Sequence, residues 1–299
     1  MDIFRGCLLG LACGDAVGNT VEFQPRGTFK PVTDMIGGGP FRLKAGEWTD
    51  DTSMALCAAE SLIEIGGFDP KDQMERYCRW MDEGYLSSNG RCFDIGGTVR
   101  SALSRYKKTG EPFSGSTDPH SAGNGCIMRL APVPMFFYPD RKAIIEMSGE
   151  SSRTTHGAAE CVEACRLFGG MLYQALAGAG KEDILLNHQV DRIMSNKIQA
   201  IAHGGYRTKN ENQIRGSGYV AESLEAALWC FDRSGSFEEA ILKATNLGDD
   251  ADTTAAVCGQ IAGAFYGEQG IPPKWLEKLA LLETIRGMAD SLFERSGKP

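Results

Sequence analysis

Two short passages hold the residues best suited to chemistry. Residues 45 to 65, "AGEWTDDTSMALCAAESLIEI", set Asp50 against Asp51 between Thr49 and Thr52. Residues 246 to 267, "NLGDDADTTAAVCGQIAGAFYG", set Asp249, Asp250 and Asp252 ahead of Thr253. Neighbouring carboxylates raise the cost of ionising one another, so such pairs ask for a positive partner. Mg²⁺ and Mn²⁺ take oxygen ligands, and threonine hydroxyls complete a coordination shell without adding charge. If the two passages meet in space, they form a cage for two ions about 3.5–4 Å apart, as in two-metal hydrolytic sites. If they do not meet, capping accounts for each, because a carboxylate in the first turn of a helix gains roughly 0.3–1 kcal/mol from the helix dipole. Five carboxylates at two helix starts exceed what capping needs. Other acidic designs fit less well: an Asp-Asp-x-x-Asp motif fails because Met54 stands where its third carboxylate belongs, and EF-hand spacing is absent.

The elements that position these residues read as helices throughout. Ile3, Phe4, Cys7, Leu8 and Leu11 recur at helical spacing. In "DPKDQMERYCRWMDEG", Asp69 is the expected N-cap, Pro70 the first helical residue, and Met74, Tyr77, Cys78 and Met81 share one face. Residues 94–109, 156–178, 181–203, 219–232, 236–246, 251–266 and 273–295 carry the same period, and no convincing period-two run appears. The expected fold is all-α, a single-domain orthogonal helical bundle over residues 1–299 with no Pro/Ser-rich linker. The irregular stretches near 19–48, 84–93, 111–126 and 204–218 are long for connections, and three of the four abut a motif.

Composition narrows the partners. The chain of 299 residues has net charge −8 and no Lys/Arg run longer than two, which argues against nucleic acid or an anionic membrane surface as partner. Its hydrophobic runs are too short for a membrane span, and Asp15 interrupts the apolar N-terminal stretch, so a cytoplasmic protein is expected. The ten cysteines are scattered without a C-x-x-C pair and read as buried thiols in a reducing compartment. Glycine, at 37 of 299 residues, exceeds the usual ~7% and suggests tight loops near a site.

Six motifs in order resemble the ADP-ribosylglycohydrolases: "RGCLLGLACGDAVGNTVEF", "WTDDTSMAL", "FDIGGTVRSAL", "SAGNGCIMRLAPVPMF", "THGAAECVEAC" and "LGDDADTTAAVCGQIAGAFYG", spanning about residues 4 to 267. The resemblance implies an all-α bundle with a di-metal cleft for ADP-ribose and two divalent cations, Mg²⁺ or Mn²⁺. It assigns Thr49, Asp50, Asp51, Asp250, Asp252 and Thr253 as metal ligands, and Glu22, Asp51 and Asp250 as catalytic groups. Phe93, Asp94, Gly96, Gly123, Asn124, Gly125, Met128 and His156 become substrate contacts, with His156 opening a long helix, while Asp15 takes a structural place or one behind the metal ligands and Arg129 a structural one. One departure is Gly248-Asp249-Asp250, where the family commonly has Gly-Gly-Asp; keeping the Asp-x-Asp-Thr spacing makes Asp250 the ligand.

The implied reaction is removal of ADP-ribose from a modified protein side chain by attack of metal-bound water at the ribose anomeric carbon. Arginine is the expected linkage, since the loop from Glu22 to Trp48 is compact and acidic at its start. Serine-linked or O-acetyl-ADP-ribose, and poly-ADP-ribose ends, are the alternative substrates. The expected partner is therefore an ADP-ribosylated protein or an ADP-ribose-containing small molecule, with the oligomeric state left open. A non-catalytic ADP-ribose-binding module and a Mg²⁺-dependent phosphohydrolase are the competing classes. The intact set of carboxylates argues against the first, and release of free ADP-ribose would exclude the second.

Overall fold

The computed structural model describes residues 1–297, so the last two residues of the expected 1–299 domain lie outside the description. Among the described residues there are fourteen α-helices and no named strand, only isolated bridges. In chain order they are α1 (Asp2–Gly18), α2 (Asp50–Ile65), α3 (Pro70–Glu83), α4 (Gly97–Thr109), α5 (Pro132–Phe137), α6 (Arg141–Arg153) and α7 (Ala159–Leu176). The remainder are α8 (Lys181–Leu186), α9 (Asn196–Ala202), α10 (Val220–Asp232), α11 (Phe237–Thr245), α12 (Ala251–Tyr266), α13 (Pro273–Leu276) and α14 (Leu282–Arg295). The all-α expectation holds. No helix among the described residues is long and apolar enough to cross a membrane.

The expected cap of α3 is present: the Asp69 carboxylate accepts from the backbone N–H groups of Lys71 and Asp72, at 2.8 and 3.2 Å. Met74, Tyr77 and Cys78 are buried against α2 and α4 in a cluster with Met54, Trp80 and Leu103. Two expected helices are broken. The 181–203 pattern stops after α8, where Gln189 and Arg192 take positive φ. There Glu163 accepts from the N–H groups of Met194 and Ser195, so a side chain satisfies backbone that a helix would have paired internally. The 273–295 pattern breaks at Leu281, φ 55°, where the Ala280 N–H donates to the Gly46 carbonyl at 2.9 Å and Trp48 Nε1 donates to the Ala280 carbonyl at 3.1 Å. The loop 19–48 thus claims hydrogen bonds from what sequence reads as a continuous helix. Helix α6, capped by Asp140 onto the Ala143 N–H, was not expected.

The centre of the fold is the antiparallel pair α1 and α12. A methyl placed on Gly259 would sit 2.0 Å from the Gly10 carbonyl oxygen, and one on Gly14 would sit 2.1 Å from the Ala255 carbonyl. The helices therefore meet backbone to backbone, and much of the glycine excess serves this contact as well as the loops. The pairing sets the end of α1 against the start of α12, which puts Gly18 beside Asp252. Ala ordinarily stabilises a helix interior by ~1 kcal/mol over Gly, but at position 259 the sign reverses because backbone cannot yield as a side chain does. Gly259→Ala is expected to cost roughly 1–3 kcal/mol, read as a lower Tm, and an unchanged or raised Tm would contradict the close approach.

Candidate active site

Both acidic helix starts are capped from elsewhere in the chain. No side chain at the start of α2 caps its own helix. Instead the buried carboxylate of Asp15, on α1, accepts from the Thr49 and Thr52 N–H groups at 2.8 and 3.0 Å and from their hydroxyls at 2.9 and 2.6 Å. At α12 the Glu22 Oε2 accepts from the N–H groups of Ala251 and Asp252, at 2.8 and 3.2 Å. Asp15 and Glu22 do most of the work that local capping assigns to the helix aspartates; of these only Asp252 takes a backbone donor of its own helix start, the Thr253 N–H at 2.7 Å. Glu22 is also the acidic residue expected at the substrate linkage; its position adds an anchoring role at the α12 start.

The two starts meet. Thr49 Oγ1 lies 2.9 Å from Asp15 Oδ1 and 3.3 Å from both Asp51 Oδ2 and Asp252 Oδ2. Thr253 Oγ1 lies 3.4 Å from the same Asp51 oxygen, across 202 residues of sequence. Oxygens of Glu22, Asp250 and Asp252 fall within 4.8 Å of one another. One Thr49 proton serves three carboxylate oxygens, and ionised carboxylates donate nothing. Asp51 Oδ1 is buried with no hydrogen-bond partner. A donor deficit around converging carboxylates and hydroxyls suits a hard divalent cation. Thr49, Asp50, Asp51, Asp250, Asp252 and Thr253 are residues of the right kind to hold it.

Electrostatics point the same way. Burial first, and then the charge of Asp252, push Asp15 and Asp250 up to about 7 and Asp94 up to about 11. The same causes in the same order raise Asp50, Asp51 and Glu22 well above the carboxylate range. Asp252 is the neighbour common to all six. Without a cation the cluster is self-repelling.

Above it opens a cleft of about 490 Å³. It is lined by Glu22, Asp50, Asp94, Gly96, Gly123, Asn124, Gly125, Met128, His156, Asp250, Asp252 and Thr253, which brings together twelve of the residues expected from sequence. Thr49 and Asp51 are buried and do not line it, and Phe93 stands beside it, its ring 5.4 Å from that of Phe41. Asp249 is exposed, with its N–H on the Gln24 carbonyl at 2.8 Å, while Asp250 faces the cleft. Sequence reading missed Phe23, Phe41, Ile95, Gly97, Thr98, Val99, Arg100 and Gly218 as lining residues. Arg100 belongs to the quoted "FDIGGTVRSAL" motif and was legible there; the two phenylalanines sit in or beside a long loop with no periodic signal.

Several expected contacts have work within the fold. Asn124 Nδ2 donates to Asp250 Oδ2 at 2.9 Å and lies 3.2 Å from Ser223 Oγ, so it orients a carboxylate. His156 does not open a helix: α7 begins three residues later, and the His156 N–H bonds back to the Ser152 carbonyl at 2.7 Å. Its ring fills the space that a methyl on Gly125 would enter, 2.9 Å from Cε1. Arg129 is buried and structural as expected, tying the Gly125 carbonyl to the Thr155 hydroxyl beside His156.

Burial lowers His156 from 6.5 to about 4, so the folded protein holds it neutral while the unfolded chain takes up a proton below pH 6.5. Stability contributed by neutral His156 is full above that pH and is lost as pH falls toward 4. The stability difference between wild type and His156→Gln should therefore shrink on acidification across this window, by on the order of 1 kcal/mol per pH unit. Chemical denaturation at several pH values measures it; parallel profiles would show that His156 is not buried neutral.

An all-α fold around a carboxylate-lined cleft, in a chain of these motifs, defines a hydrolase of glycosidic bonds. The chain belongs to the ADP-ribosylglycohydrolase family, whose profile matches residues 1–299. It is 48% identical to the ADP-ribosylarginine hydrolase Tri1 of Pseudomonas putida, over 99% of this chain and 79% of that one. It is 31% identical to the ADP-ribosyl-[dinitrogen reductase] glycohydrolase of Rhodospirillum rubrum, over 98% and 96%. A solved structure described as an ADP-ribosylglycohydrolase-related protein complex superposes with a TM-score of 0.86 at 43% identity, covering 99% of this chain and 98% of that one.

Proposed function

We propose that this protein removes ADP-ribose from arginine side chains of modified proteins, using the cluster where α2 and α12 begin. The observation that carries the reading is the meeting of Thr49, Asp51, Asp252 and Thr253 beneath the cleft. The arginine linkage is supported by the two Tri1 relatives, at 48% and 46% identity, both named as ADP-ribosylarginine hydrolases. Divalent cations, when bound by Thr49, Asp50, Asp51, Asp250, Asp252 and Thr253, would supply charge neutralisation and would polarise the ribose hydroxyls and a water molecule. We assign two ions, Mg²⁺ or Mn²⁺, to this set.

The protein's own groups then act around the anomeric carbon. Water adds its oxygen to that carbon, the carbon–nitrogen bond breaks with its electron pair on the guanidine, and one water proton ends on the leaving nitrogen. Glu22 has both backbone donors on Oε2, which leaves Oε1 without a backbone partner for proton exchange at the linkage. Asp250, fixed by Asn124, lines the cleft at the attack site, and Asp51 acts from beneath it, against the Thr49 and Thr253 hydroxyls. Asp50, as a ligand of the cations, and Asp94 beside it on the cleft wall face the oxocarbenium character that develops. Gly96, Gly123, Gly125, Met128, His156 and Phe93 shape the walls along ADP-ribose.

The test is release of ADP-ribose from a protein modified on arginine, beside a serine-linked substrate, in Mg²⁺, Mn²⁺ and EDTA. Cation-dependent release from the arginine substrate is expected, with EDTA abolishing it. Tight ADP-ribose binding without release from either substrate would make this chain a binding module instead.

A further inference from the structure

The cleft wall next to Glu22 is aromatic and open. Phe23 directly follows Glu22, and its positive φ of 63° is held by a hydrogen bond from its N–H to the Asp249 carbonyl at 2.8 Å. Phe23 is 63% exposed, unusual for so large an apolar residue. It stands edge-on to Phe41 at 6.3 Å, and Phe41 lies 5.4 Å from Phe93, so the three rings form one continuous surface. Among the described residues no Lys or Arg lies over any of these three rings, although cations cover eight other aromatic rings. Glu22, Asp50 and Asp252 adjoin the wall, and Arg100 is the sole Lys or Arg lining the cleft.

An exposed π surface with no cation of its own favours a flat cation, because a guanidinium stacks on aromatic faces. Adenine would also stack, but in ADP-ribose a second ribose and two phosphates separate it from the ribose that reacts, whereas Phe23 directly follows Glu22. We propose that Phe23, supported by Phe41, is a specificity-determining residue that receives the guanidinium of the modified arginine. This rests on the arginine-hydrolase reading above. A neutral leaving group such as serine gains little from the same surface, so the wall selects by charge and planarity.

Phe23→Leu keeps apolar bulk and removes the π face, and Phe23→Trp keeps it; exposure of the side chain makes both compatible with folding. With an arginine-linked substrate, Phe23→Leu is expected to raise KM by roughly three- to thirtyfold, the range of a cation–π contact from exposed to desolvated. Its kcat should be unchanged, and Phe23→Trp should restore KM. The affinity for free ADP-ribose, which has no guanidinium, should match wild type in both variants. An unmoved KM, or a parallel loss of ADP-ribose affinity, overturns the assignment while leaving the hydrolase reading intact. Wild-type protein that binds ADP-ribose but does not release it from arginine overturns both.

Discussion

Asp252→Asn should abolish turnover and, in EDTA, raise the melting temperature. The two effects share one cause. Asp252 sits where α2 and α12 converge, and its charge pushes up Asp15, Glu22, Asp50, Asp51, Asp94 and Asp250 together. Neutralising it relieves repulsion felt by six buried or half-buried acids. Against this stands a loss of roughly 0.3–1 kcal/mol from removing a carboxylate in the first turn of a helix. Asparagine keeps an oxygen to accept the Thr253 N–H, which Asp252 Oδ1 holds at 2.7 Å, so the local backbone is preserved. At a pH above 7, where Asp15 and Asp250 are ionised, the relief is expected to outweigh the loss. A cation placed by this cluster contributes several kcal/mol to the transition state, so turnover should fall by about three orders of magnitude or more. Mg²⁺ or Mn²⁺ should raise the wild-type melting temperature by binding only the folded protein and should raise the variant's far less. A variant with wild-type turnover, or with the full cation-dependent shift, would remove Asp252 from the ligand set.

The second large effect has the opposite sign in stability although the residue type and neighbourhood are the same. Asp15→Ala should destabilise the protein strongly in the presence or absence of cations. The Asp15 carboxylate accepts four hydrogen bonds, two from the otherwise orphaned N–H groups at the start of α2 and two from the hydroxyls of Thr49 and Thr52. Removing it strands buried donors at ~1–3 kcal/mol each, partly offset by hydroxyl rotation and by weaker repulsion of Asp252. A net loss of about 3 kcal/mol or more is expected from denaturant unfolding. Cation affinity should also fall, by roughly 10–100-fold, because Thr49 loses the partner that aims its hydroxyl. Stability within about 0.5 kcal/mol of wild type, the range of an inconsequential surface change, would show that α2 is capped some other way.

Reading residues in order exposed much of this design. The period of α3, its Asp69 cap and Pro70 start, and the bounds of α12 were all legible, because capping and helical spacing act within a few residues. The acidic, threonine-flanked helix starts suggested a cation by residue type, with helix capping as the equal alternative. The breaks at 187–195 and at Leu281 were not legible, because their causes lie far off in the chain: Glu163 in one, and Gly46 with Trp48 in the other.

The sequence by itself determined an all-helical protein and the family it belongs to, and it singled out the side chains proposed for a cation and a sugar diphosphate. Only the tertiary structure decided that the start of α2 meets the start of α12, that Asp15 and Glu22 cap them from outside, and that Phe23, Phe41 and Phe93 line up beside the acids. The physical reason is range. Helix propensity and capping patterns are local, whereas the site depends on two helices touching through glycine backbones, a contact made only when the whole bundle has packed.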